Sequence, residues 1–69
     1  MTMQDAEEAQ PGDLVEARNC AWGGEIVKTA PEMGAVAVLV DDPRFSGIKV
    51  GTVLPFALDE VEIVLRCDE

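Results

Sequence analysis

Six consecutive apolar residues, at positions 35–40, constrain the fold of this chain more than any other feature. Turn-forming residues bound the run, with Gly34 before it and Asp41-Asp42-Pro43 after it. The run is short and rich in valine, so it predicts a strand rather than a helix. Because successive side chains of a strand point to opposite faces, both faces of this strand should be covered. We expect one face to lie in the core and the other against a second sheet or a neighbouring subunit.

Four other segments have the composition of short strands. They occupy residues 14–17, 25–29, 48–54 and 61–66. The connecting segments are rich in glycine and proline, which interrupt regular structure. Pro55 should end the fourth strand, and residues 56–59 are too few for an α-helix and suit a single 3₁₀ turn. Five short strands with a 3₁₀ turn before the last predict an all-β protein, specifically a small five-stranded SH3-like barrel.

The chain has 69 residues, which is enough for one domain. Residues 1–10 are small, polar and acidic and are predicted to form a flexible tail. The barrel is expected over residues 11–66, and residues 67–69 should form a short C-terminal tail. The N-terminal residues have neither the basic start nor the apolar run of a signal peptide, and no apolar stretch is long enough to span a membrane. We therefore expect a cytoplasmic protein.

Two cysteines, Cys20 and Cys67, and the absence of histidine limit the possible metal and redox chemistry. Two lone cysteines are too few for a structural zinc site, which takes four ligands. Free thiols in a reducing compartment are the favoured interpretation, and one disulfide is the alternative. Without histidine, a serine or cysteine nucleophile also lacks its usual base. We expect no metal, no cofactor and no catalytic residues.

The net charge of the chain indicates which classes of partner are expected. Fourteen acidic and five basic residues give a net charge of −9. Nucleic-acid phosphates and anionic membranes attract clustered Lys and Arg, so neither is an expected partner. A basic protein is compatible with this charge, and the acidic field would accelerate its encounter.

Residues spread from Gly12 to Ile63 resemble the type II dihydrofolate reductases, small trimethoprim-resistant enzymes of plasmids and gene cassettes. The matching residues are mostly glycine, proline and apolar types, which are typical of a shared fold. They are Gly12-Asp13, Val15, Ala21-Trp22, Gly24, Ile26-Val27, Pro31-Glu32, Ala35-Val36, Pro55, Ala57 and Ile63. The resemblance implies an SH3-like barrel that assembles as a homotetramer around a central pore.

The segment that lines the pore in that family differs in this chain. The family has Val-Gln-Ile-Tyr just before the matching proline, whereas this chain has Gly51-Thr52-Val53-Leu54. Thr52 replaces the glutamine and Leu54 the tyrosine, and Ala17 and Arg18 stand nearest the family's pore lysine. Four chains of −9 would also surround the pore with a field that repels folate and a phosphorylated nicotinamide cofactor. We expect the fold without the reductase activity.

Two groups of residues are candidates for binding a partner protein. Trp22 lies in a loop and is either an exposed binding anchor or a cap on the barrel core. An acidic face is either a mimic of nucleic-acid phosphates or a solubilising surface. Its candidate members are Glu32, Asp41, Asp42, Asp59, Glu60 and Glu62. A third set, Val36, Val38, Thr52 and Leu54, is predicted to form the interface of a homo-oligomer.

These observations favour a small acidic protein-binding module without enzymatic activity. One form of this function is a phage or mobile-element inhibitor that acts on a basic nucleic-acid-binding protein. A diverged relative of the type II reductases with a lost or changed ligand is one alternative. An accessory subunit of a larger complex is the other.

Overall fold

The computed structural model describes residues 1–66, which form one antiparallel sheet, two 3₁₀ turns and a short helix. The strands are β1 (Leu14–Ala17), β2 (Gly23–Ala30), β3 (Ala35–Asp42), β4 (Thr52–Ala57) and β5 (Val61–Leu65). The 3₁₀ turns are Pro31–Met33 and Leu58–Glu60, and helix α1 is Met3–Glu8. The predicted C-terminal tail at 67–69, including Cys67, lies outside the described residues.

The strand order in the sheet is β4-β3-β2-β1-β5, and every neighbouring pair is antiparallel. Strands β1 to β4 are connected in sequence, and β5 returns to pair with β1. The predicted all-β fold with five short strands and a 3₁₀ turn before the last strand is therefore confirmed. Closure of the sheet into an SH3-like barrel stays a prediction.

The bounds of strand β4 differ from those of the strand predicted at 48–54. Strand β4 begins at Thr52 and runs through Pro55 to Ala57. Proline is tolerated there because β4 is at the edge of the sheet, where one side of the strand has no ladder to complete. Leu58 then donates its backbone N–H to the Gly34 carbonyl (3.1 Å) as the chain enters the second 3₁₀ turn.

The N-terminal segment, predicted as a flexible tail, forms helix α1 against the sheet. Thr2 and Asp5 make a capping box, in which Asp5 N–H donates to the Thr2 hydroxyl and Thr2 N–H donates to the Asp5 carboxylate, both at 3.1 Å. Ala6 is fully buried, and Arg66 holds the outer side of the helix through Asp5 (3.2 Å) and Glu8 (3.7 Å). The helix is stabilised by these contacts because six residues are too few for an isolated helix.

The core lies on one face of the sheet and is built mainly from β-branched residues. Its buried members are Val15, Ala17, Trp22, Ile26, Val36, Val38, Val40 and Val61. Strand β3 alternates strictly: Val36, Val38 and Val40 are at most 1% exposed, whereas the residues between them are half-buried. We call the core side the inner face of the sheet and the opposite side its outer face.

The alternation places Val36 and Val38 of the predicted oligomer interface in the core, and the interface itself stays a prediction. Val36 and Val38 belong to the core, and their partners across the ladder, Phe56 and Leu54, lie half-buried on the same inner face with Thr52. The run at 35–40 is apolar on both faces, so its sequence does not indicate which face is inner. Within residues 35–40, those that lie outward are Ala35, Ala37 and Leu39.

Among residues 1–66, no helix has both the length and the apolar character needed to span a membrane.

Candidate protein-binding surface

A row of polar residues crosses the outer face where β3, β2, β1 and β5 lie side by side. Asp42 is paired with Gly23, Gly23 with Glu16, and Glu16 with Glu62. Across neighbouring strands such positions lie about 5 Å apart, so Glu16 and Glu62 place two like charges directly opposite each other. This arrangement is unfavourable unless cations lie between or beside the carboxylates.

Asp42 reaches the outer face because of a bulge in β3. The pairing steps from Gly24–Val40 to Gly23–Asp42, so one additional residue, Asp41, is inserted in β3. Without this bulge, the regular alternation of side chains that buries Val40 would give Asp42 the same inward orientation. The alternation of side chains between the two faces of β3 is therefore shifted by one residue at the adjacent pair Asp41-Asp42.

Arg44 supplies the cation for this row. Its Nε donates to Asp42 Oδ2 (3.1 Å), and its Nη1 donates to Glu16 Oε2 (3.4 Å) and to the Cys20 carbonyl oxygen (3.2 Å). The hydrogen bond to Asp42, followed by the bond to Glu16, raises the pKa of Arg44 above its ordinary value. At the other end of the row, Arg18 Nε lies 3.5 Å from Glu62 Oε1.

The guanidinium of Arg44 lies over Gly23. Arg44 and Cys20, whose carbonyl oxygen accepts a hydrogen bond from this guanidinium, both have an unusual backbone conformation. A Cβ added to Gly23 would lie 3.1 Å from Arg44 Nη2, so the absence of a side chain makes room for the arginine. Cys20 and Arg44 both have positive φ, 62° and 46°, which is unfavourable for residues other than glycine. The hydrogen bond from Arg44 to the Cys20 carbonyl joins these two turns. Gly23 is thus a packing residue of β2.

Arg44 also fixes the base of a loop, residues 43–51, that presents an exposed aromatic side chain. Phe45 follows Arg44 directly and is 97% exposed. Ser46 N–H and its hydroxyl both donate to the Pro43 carbonyl (2.8 and 2.7 Å), and Ile48 N–H donates to the Ser46 hydroxyl (3.1 Å). Ile48 packs against the core. The loop is therefore held on both sides of Phe45.

The residues of the predicted acidic face are spread over the sheet and its two 3₁₀ turns. Asp41 and Asp42 are at the end of β3, and Glu62 belongs to the row beside them. Glu32, Asp59 and Glu60 lie in the two 3₁₀ turns, which flank the start of β3. The length of extended strand separates Glu32 from Asp42 by about 20 Å or more. Glu60, by contrast, is two residues from Glu62 in the chain, and its carbonyl oxygen accepts from the backbone N–H of Arg18 (2.9 Å). Asp42 and Glu62 are therefore paired with arginine, and Glu60 lies near Arg18 at the Glu62 end of the row.

Trp22, the other predicted partner-binding residue, lies in the core. It is 5% exposed and stacks on Phe56 with ring centroids 4.4 Å apart. Its contribution is packing, which was the alternative interpretation of this residue. The exposed aromatic residue is Phe45, which the sequence placed in a polar loop. The signal that could have identified it was an aromatic between Arg44 and Ser46 in a loop predicted to be solvated.

The surface includes an open groove. The groove beside Arg44 is open, has a volume of about 230 Å³ and is lined partly by Leu14, Val64 and Asp42. Within residues 1–66, no cluster of three or more His, Cys, Asp or Glu side chains is arranged to hold a metal ion. The surface offers a protruding aromatic ring, a fixed guanidinium and exposed carboxylates.

Comparison of the chain with protein-family models, with curated proteins and with solved structures gives no match.

Proposed function

We propose that this protein is a non-enzymatic binding module that inserts Phe45 into an apolar pocket of a basic partner protein. The observation that carries this proposal is the 97% exposure of Phe45 on a loop held by Arg44, Ser46 and Ile48. Aromatic anchors dominate the energy of many protein interfaces. A loop that is already ordered loses little conformational entropy on binding, so more of the contact energy appears as affinity.

The charge of the molecule determines the class of partner. The chain carries −9, and exposed Asp41 lies close to Phe45 in sequence and makes no ion pair or hydrogen bond with other described residues. An acidic field attracts basic surfaces and accelerates their association. An inhibitor of a basic nucleic-acid-binding protein, encoded by a phage or mobile element and acting in the cytoplasm, is the specific form of this proposal.

A selection from a display library of random peptides tests this function, with the purified protein as bait. We expect the selected peptides to combine Lys or Arg with bulky apolar residues. Phe45→Ala should weaken their binding at least about tenfold, because truncation of a central anchor commonly costs about 2 kcal/mol or more. Binding should also weaken as salt is raised, since screening reduces the electrostatic attraction.

Met33→Ala is the matched control, because Met33 is also an exposed apolar residue (77%) but lies in the first 3₁₀ turn, away from the loop. It should leave peptide binding unchanged. Selection of no basic apolar peptides, or equal binding by the wild type and Phe45→Ala, would contradict the proposal. Circular dichroism of both variants establishes that the fold is retained.

The type II reductase relation and the accessory-subunit role remain alternative proposals. For the reductase relation, Thr52 and Leu54 lie on the inner face of β4 and are half-buried, so they do not provide an outward pore lining.

A further inference from the structure

The outer face of β2, β3 and β4 carries apolar side chains that no described segment covers. We call it the apolar face. It is formed by Ala35, Ala37, Leu39, Val53 and Pro55, with exposed Val27 at a bulge of β2 next to Lys28. Val27 is 43% and Val53 50% exposed, and a shallow groove of about 220 Å³ runs between Ala35, Ala37 and Pro55. Contiguous apolar surface of this kind marks interaction sites in soluble proteins.

Two opposite charges flank the apolar face on the same strand. Glu25 lies beside Leu39 and Lys28 beside Ala37, so both belong to the outer face of β2. They are about 10 Å apart along the strand, and neither forms an ion pair or side-chain hydrogen bond with the described residues. Because the two charges cancel, this face is close to neutral in a molecule whose net charge is −9.

The neighbouring edge of the sheet is protected against pairing with another strand. Pro55 has no N–H to donate, and the N–H of Ala57 already donates to Glu60 Oε1 (2.9 Å). Alternate residues of a strand direct their N–H groups to the same side, so Pro55 and Ala57 share the free edge of β4. Proline and charge at an edge oppose strand addition. A partner at this end of the molecule is therefore better accommodated by the face than by the edge.

We propose that the apolar face is covered by a second copy of this chain in a twofold-symmetric dimer. A twofold axis that lies in the plane between the two faces, and crosses β2 midway between Glu25 and Lys28, makes the contact self-complementary, because residue i meets residue j and residue j meets residue i. Glu25 of one copy then lies opposite the partner's Lys28, and Lys28 lies opposite the partner's Glu25. The face is also the surface on which two copies of charge −9 repel each other least.

Sedimentation across a wide range of concentration tests the dimer and its geometry. The wild type should shift reversibly from monomer to dimer mass as concentration rises. Glu25→Lys alone places lysine opposite lysine at both contacts, and Lys28→Glu alone places glutamate opposite glutamate. Each single variant should weaken dimerisation at least about tenfold, since like charges at an interface are strongly unfavourable.

An equimolar mixture of the two single variants is the decisive sample. In a mixed dimer, both contacts again join lysine to glutamate, so dimer mass should return although neither variant dimerises alone. The double variant Glu25→Lys/Lys28→Glu should dimerise by itself for the same reason. Glu7→Lys and Lys49→Glu are matched controls, because they make the same charge changes at exposed positions outside the face and should leave the dimer unchanged.

Two results would overturn the proposal. One is a wild-type protein that sediments as a monomer at every concentration. The other is a dimer that the mixture fails to restore, which would assign the contact to another surface. Circular dichroism on each variant ensures that loss of the dimer is not loss of the fold.

Discussion

Residues that are adjacent in sequence have different roles when their side chains lie on the inner and the outer face of the sheet. Gly23 and Gly24 are the clearest pair. A Cβ added to Gly24 would overlap the backbone carbonyl of Leu39 in the neighbouring strand, whereas one added to Gly23 would come nearest to the end of the Arg44 side chain, at 3.1 Å. Glycine thus adjoins rigid backbone on the inner face and the end of a side chain on the outer face.

The difference between the faces has a physical cause. On the inner face, side chains of β2, β3 and β5 pack together with no room to relax, because protein interiors are close-packed. On the outer face, the charged groups contact one another and solvent, and long side chains move at little cost. The effect of a substitution should therefore follow its face rather than the chemical size of the change.

The largest expected difference separates Gly24→Ala from Gly23→Ala. Gly24→Ala should destabilise the fold by about 3 kcal/mol or more, because backbone must move to admit the methyl group. A domain of this size has a total stability of roughly 3–10 kcal/mol, so this variant should be largely unfolded or close to it. Gly23→Ala should change stability by less than about 1 kcal/mol. Urea unfolding measures both, and equal losses would contradict the distinction between the faces.

A smaller difference is expected between two valines that differ only in face. Val38 is fully buried and Val53 is 50% exposed. Val38→Ala should cost about 2 kcal/mol through lost burial and a residual cavity, whereas Val53→Ala should cost less than about 0.5 kcal/mol. Unfolding should be measured at low protein concentration, so that the proposed dimer does not contribute to the stability difference measured for Val53→Ala. A cost for Val53→Ala that matches Val38→Ala would show that the outer face is assigned wrongly.

The strand content was predictable from the sequence, and the direction of the strands' side chains was only partly so. Turn residues around each apolar segment locate five strands, and the alternation of polar and apolar residues in β5 indicates its inner face. Residues 35–40 are apolar throughout, so their pattern is compatible with either face. Which valines are buried depends on pairing with β2 and β4, and this is information about distant parts of the chain.

Other features were missed because they depend on long-range contacts. Helix α1 is short, and its stability comes from burial of Ala6 and from Arg66, which lies 61 positions beyond Asp5 in the chain. Pro55 indicates the end of a strand unless that strand is known to lie at an edge. For the candidate surface, composition indicated the acidic character, but the bulge at Asp41 and the position of Arg44 over Gly23 required the three-dimensional register.

A similar contrast occurs in α1, where fully buried Ala6 is next to half-buried Asp5. Hydrogen bonds from the Thr2 backbone N–H and from its side chain, followed by the charge of Arg66, lower the pKa of Asp5 below its ordinary value of 3.8. A carboxylate whose pKa is lower in the folded state stabilises that state at pH above its unfolded pKa. This contribution is then lost as the pH falls from 3.8 through the folded pKa of Asp5.

Asp5→Asn should therefore produce a small loss of stability near neutral pH that shrinks toward zero as the pH falls below 3.8. Urea unfolding of the wild type and the variant across this range measures the gap directly. Glu7→Gln is the control, because Glu7 lies in the same helix but its side chain makes no ion pair or hydrogen bond with the described residues. A gap for Asp5→Asn that stays constant with pH would mean that the uncharged parts of the cap, rather than the carboxylate, hold α1 against the sheet.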